Sequence, residues 1–200
     1  KPTQVAVLET PDAFFNEGLF EKALELYREI AESHPRRIEG IRAAYRAGLS
    51  MLKMGDIAGA CEVFQAMQEE PQSRPLGVLG QVHMLEQEQD ETSAAEFLVS
   101  WAERMQAPSP RWKEAALYAF ERARTHAPKP GGPDLFDKWF EAALRLAGSQ
   151  EELAARASPR YFNELFRQWA AQHLALAPNT GALLETEGIT IKGLSQEVFW

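Results

Sequence analysis

The chain has 200 residues, 45% of them apolar and 25% charged, with a formal net charge of −8, so it can bury a sizeable core but lacks the basic surface that nucleic-acid binding demands. Its single cysteine, Cys61, excludes an internal disulfide framework and offers a metal only a lone thiol. No apolar run approaches the length of a membrane span.

The chain opens on Lys1, which leads us to expect an excised segment or a processed product of a longer protein. From Thr10 onward, apolar residues recur at three- and four-residue spacing, Phe14, Phe15, Phe20, Ala23, Leu24, Leu26, Tyr27 and Ile30 among them. This predicts a helical hairpin with Pro11 and Asp12 at a helix start, Gly18 in the turn and Pro35 as the stop. A second hairpin is predicted from Ile38 to Glu70, with Ala43, Ala44, Ala47 and Gly48 small where helices approach closely and Gly55-Asp56 as its turn. Cys61, beside Ala60 in this pattern, is expected to be buried and inert. The two hairpins share a register, because Gly18, Phe20, Ala23, Tyr27, Ile30 and Pro35 recur thirty-seven residues on as Gly55, Ile57, Ala60, Phe64, Met67 and, one residue early, Pro71.

That pattern resembles the tetratricopeptide repeat family, which combines a small residue and glycine in the first helix, a glycine turn, an early alanine and an aromatic in the second helix, and a terminal proline. The resemblance implies an all-α fold of helical hairpins stacked as a right-handed solenoid. The second unit carries Ala47-Gly48, Gly55, Ala60 and Phe64 in family register, whereas the first has Pro11 where a small residue is expected, which predicts a short first helix. A third, degenerate unit places Gly77, Gly80 and Val82 in one helix and Ala94, Ala95, Leu98 and Trp101 in the next, with a longer, glycine-free turn from Glu86 to Glu91.

Beyond Met105 the motif fades and the helical period persists. Ser109-Pro110 and Ser158-Pro159 read as capped helix starts, Pro128 to Pro133 as a breaker, Asp134 to Leu146 as a further helix, and Gly148 as another break. Trp112, Trp139, Phe140, Phe162 and Trp169 are expected to be core, with a docking surface as the alternative. Ile189-Thr190-Ile191 is a short strand signal in a tail that either packs on the last helices or leads into a further domain. We thus expect repeat-like hairpins over 1–107, divergent hairpins continuing or capping the stack over 108–180, and an irregular or strand-like tail over 181–200.

Phosphate-cradling glycine loops, a serine elbow and a His-Glu-x-x-His motif are absent, and the four histidines are scattered. We therefore expect no catalysis, metal or cofactor. The constellation that can bind is basic: Arg42 and Arg46 stand one helical turn apart, with Lys53 on the same helix. By resemblance, first helices line a concave groove, which puts Arg42, Tyr45, Leu49 and Lys53 at groove positions, Arg46 beside them, and Phe15 with Asn16 at the matching end of the first unit. Such a groove suits an acidic or carboxylate-bearing peptide. The Arg42–Arg46 pair is similar to the basic pair of the chaperone-binding carboxylate clamp, but Glu9 stands where that clamp has asparagine. The competing expectation is that these arginines are surface residues paired with Glu39 and similar neighbours.

The expected function is a noncatalytic interaction scaffold within a longer chain. The helical run and strand-like tail also resemble, in architecture alone, the region after the kinase domain in chlamydial-type serine/threonine kinases, which implies a regulatory or substrate-docking arm. The thirty-seven-residue period resembles the longer repeats of bacterial outer-membrane assembly lipoproteins, which implies a periplasmic scaffold. Cytoplasm is the default compartment and periplasm the alternative.

Overall fold

The computed structural model describes residues 6–105, 110–126 and 133–147. Within them the helices run in the order α1 (Ala6–Asn16), α2 (Phe20–Ser33), α3 (Ile38–Lys53), α4 (Ile57–Glu69), α5 (Arg74–Gln87), α6 (Glu91–Arg104), a 3₁₀ turn (Pro110–Trp112), α7 (Lys113–Thr125) and α8 (Pro133–Leu146). Among the described residues, the all-α repeat fold expected from the sequence is the one observed. The chain divides into two compact units, Lys1–Leu98 and Val99–Trp200.

In the first unit, each helix packs on the next from α1 to α5, while α3 also touches α1 on one side and α5 on the other. The first helices of successive hairpins therefore stand side by side in one layer. Three turns of the same length join each first helix to its second: Glu17-Gly18-Leu19, Met54-Gly55-Asp56 and Glu88-Gln89-Asp90. All three close in the same way, with backbone bonds from Leu19 to Phe14, from Asp56 to Met51 and from Asp90 to Leu85. The middle residue is left-handed in each, with φ of 79° at Gly18, 82° at Gly55 and 61° at Gln89. The third turn is thus neither longer nor of another kind, contrary to the sequence expectation, because Gln89 adopts the backbone that glycine takes elsewhere at a steric cost. Asp56 and Asp90 then cap the following helices, each accepting a backbone N–H at 2.9 Å, from Gly59 and Ser93.

Phe64 of α4 is the wedge of this unit, fully buried, and two glycines make room for it. A Cβ on Gly48 of α3 would stand 2.5 Å from its ring, and one on Gly80 of α5 would stand 2.2 Å away. Ala23, Tyr27, Ala60, Val78 and Val82 complete a core with no solvent exposure at these positions. Pro11 lies inside α1 and is buried, whereas the sequence suggested a helix start; it forgoes one ladder hydrogen bond, and α1 stays short at 11 residues against 16 for α3. Cys61 is half-buried, because its neighbour Ala60 takes the inward position.

The spacing of thirty-seven residues holds only between the first two turns, from Gly18 to Gly55, and falls to thirty-four from Gly55 to Gln89. The three extra residues lie within helices, since α2 and α3 have 14 and 16 residues where α4 and α5 have 13 and 14.

In the second unit, α7 packs along α8 around Phe120, Phe136, Trp139 and Phe140, all essentially without exposure. Phe136 stacks on Phe140 with ring centres 5.5 Å apart, and Trp139 meets the edge of Tyr118 at 6.2 Å. The core reading of Trp112, Trp139 and Phe140 is what the structure shows. Ser109, the 128–132 breaker, Gly148, Ser158-Pro159, Phe162, Trp169 and the tail 181–200 lie outside the described residues.

Candidate functional site

Because α1, α3 and α5 stand in one layer, their last turns converge. Three apolar and four polar side chains meet there, and the result is a cavity of about 490 Å³ lined by Phe15, Leu49, Leu52, Lys53, His83, Glu86 and Gln87. Its floor is Phe15, Leu49 and Leu52. Gln87 Nε2 donates to the Leu52 carbonyl oxygen at 3.1 Å, tying the end of α5 to the end of α3. His83 forms the far wall, with Nε2 2.9 Å from the Tyr45 hydroxyl and Nδ1 3.6 Å from a Glu86 carboxylate oxygen. Lys53 is exposed on the rim and also borders a second hollow of about 430 Å³ beside Leu19, Phe20 and Met54.

Phe15, Leu49 and Lys53, three of the residues expected at a groove, line this cavity. Asn16 is exposed at the end of α1 and Arg42 is exposed on α3, neither of them in the cavity wall. Tyr45 is buried, with its ring 6.1 Å from Phe64 and 6.3 Å from His83, so it supports the wall from behind.

Arg46 is committed elsewhere. Its guanidinium lies 5.6 Å over the Phe15 ring and its Nε is 3.9 Å from the Asp12 carboxylate. Asp12 in turn accepts a hydrogen bond from the Tyr27 hydroxyl of α2. Burial of Tyr27, reinforced by that hydrogen bond and the Asp12 charge, pushes its pKa well above the ordinary phenol range, so the hydroxyl stays a donor. The expected partner Glu39 is instead buried in the first turn of α3, and Arg46 pairs across to the preceding hairpin.

Leu52, His83, Glu86 and Gln87 were missed by sequence reasoning. They sit where the repeat offset puts them, since His83, Glu86 and Gln87 are each thirty-four residues after Leu49, Leu52 and Lys53. The unrecognised turn at Gln89 hid that register. Among the described residues, no cluster of three or more His, Cys, Asp or Glu side chains is placed to hold a metal, and no helix is long and apolar enough to cross a membrane.

Residues 42–73, which run from α3 through α4, match the tetratricopeptide repeat family. This stretch is a tetratricopeptide repeat. This stretch supplies Leu49, Leu52 and Lys53 to the cavity. Serine/threonine-protein kinase PknD of Chlamydia felis is 46% identical over 61 residues, 30% of this chain and 6% of that protein. The PknD kinases of Chlamydia pneumoniae, 52% identical over 50 residues, and Chlamydia trachomatis serovar D, 36% identical over 66, show the same relation, covering 25% and 30% of this chain and 5% and 7% of theirs. The chain therefore spans only a small fraction of the length of the curated relatives it matches. No solved structure matches it significantly.

Proposed function

We propose that this chain is a noncatalytic protein-interaction module that holds an extended segment of a partner protein, acidic or carboxylate-bearing, against α1, α3 and α5. The observation that carries this reading is the cavity where the last turns of three successive first helices meet, with an apolar floor and a lysine on its rim. A tetratricopeptide repeat at its centre is in keeping with protein partners. The test is capture of partners with the 200-residue chain beside Leu49→Arg and Lys53→Glu, after circular dichroism shows that all three are equally helical. Partners retained by the parent chain and lost from both variants support the groove, and partners retained by all three place recognition elsewhere.

A second reading, favoured by the matches to chlamydial PknD kinases, makes the chain a regulatory or substrate-docking arm of a serine/threonine kinase. The two readings are compatible, because a docking arm needs a groove. Removing residues 1–105 from such a kinase is expected to change which proteins it phosphorylates and to leave its autophosphorylation rate intact. Loss of autophosphorylation would argue instead for a part in the catalytic fold.

A further inference from the structure

We infer that the cavity selects an amphiphilic segment, one large apolar side chain beside a carboxylate, and not a uniformly acidic one. The inference rests on the groove reading above and specifies its ligand. The first observation is the make-up of the floor. Phe15, Leu49 and Leu52 help to line a space of about 490 Å³, within the size range of small-molecule sites. A purely acidic peptide would leave that apolar surface in water or would bring a charge onto it, at the cost of desolvation.

The second observation is electrostatic. α1, α3 and α5 all end at this cavity, and helix C-termini carry partial negative charge on their last carbonyl groups. Glu86 adds a carboxyl group to the same wall. A ligand carboxylate driven to the floor is therefore repelled, whereas an apolar side chain is not. On the rim the sign reverses at Lys53, which among the described residues has no ion-pair partner. Of the other two cations that sequence places near the groove, Arg46 is already answered by Asp12 and covers Phe15, and Arg42 lies outside the cavity wall. The apolar anchor is thus read by the floor and the acid by Lys53.

The test is selection of a random-peptide display library on the folded 200-residue chain, with counter-selection on Leu49→Arg. The expected result is a consensus that pairs a Leu, Ile, Phe or Trp with a neighbouring Asp or Glu. Synthetic peptides of that consensus should lose about tenfold or more in affinity on Lys53→Glu, the scale of one charge-assisted hydrogen bond. They should lose a similar factor when the apolar residue is replaced by serine. A groove-dependent consensus that is neutral, basic or acidic without an apolar anchor would overturn the inference and leave the groove standing. Enrichment that survives on Leu49→Arg, or none at all, would overturn both.

Discussion

Arg46 and Lys53 lie two turns apart on α3 with the same charge, yet the structure uses them in opposite ways. Arg46 is turned toward its own fold, lying over Phe15 and pairing with Asp12, which is itself held by the Tyr27 hydroxyl. Lys53 stands on the rim of a cavity whose floor is apolar and whose far wall belongs to the next hairpin. The difference teaches that a basic residue at a groove position is not by itself a ligand site. What counts is whether a preceding hairpin supplies a carboxylate, and Asp12 does so for Arg46.

The comparison breaks first if the layer that carries both residues collapses. Phe64 packs between Gly48 and Gly80 and so sets the spacing of α3 and α5. Phe64→Ala is expected to cost about 3–5 kcal/mol, seen as an early thermal transition by circular dichroism, with ligand binding lost at the same temperature. A transition unchanged from the parent chain would mean that the repeat does not pack as described.

The Arg46 end alone is tested through Tyr27. Tyr27→Phe removes the donor to Asp12 and is expected to cost about 1.5 kcal/mol. The pH dependence has a definite sign. With the pKa of Tyr27 raised in the folded state, its contribution is fully present below the ordinary phenol value near 10 and is lost as pH rises through the folded value. Urea midpoints measured from pH 8 upward should therefore fall in the alkaline range for the parent chain, and fall less steeply for Tyr27→Phe. Parallel curves would remove Tyr27 from the account.

Much of this was legible in the residues. The hairpins, their helix ends near Lys53 and Ile57, and the core roles of Ala60, Phe64, Trp139 and Phe140 follow from spacing and side-chain size, which are local properties. Pairing between hairpins was less legible. Asp12 meets Arg46 across thirty-four positions, and nothing in either neighbourhood announces the other. His83, one of four scattered histidines, carries no local signal of its place, because a turn without glycine hides the repeat register that sets it opposite Leu49; the structure half-buries it against Tyr45. A left-handed glutamine breaks the local rule, and the surrounding hydrogen bonds impose the turn regardless.

That exception gives a smaller, stabilising prediction that sharpens the Lys53 side. Gln89 holds φ at 61° between the helix that carries His83, Glu86 and Gln87 and the one that follows. Gln89→Gly is expected to stabilise the chain by about 1 kcal/mol by relieving the left-handed strain, measured as a higher urea midpoint at unchanged slope. A lower midpoint would mean that the Gln89 side chain does more for the hairpin than its backbone costs.

The smallest expected effect is the most direct measure of the contrast. Lys53→Gln removes a rim charge that supports no described ion pair, so the melting temperature should stay within the scatter of an ordinary surface change, about 0.5 kcal/mol in either direction. Arg46→Gln removes a partly exposed ion pair and a guanidinium–ring contact, and should cost about 1 kcal/mol. Affinity for an acidic-apolar peptide should move the other way, falling with Lys53→Gln and changing little with Arg46→Gln. If Arg46→Gln weakened binding as much as Lys53→Gln did, the Asp12 carboxylate would not be shielding that cation from ligands, and the two ends of α3 would belong to one continuous site.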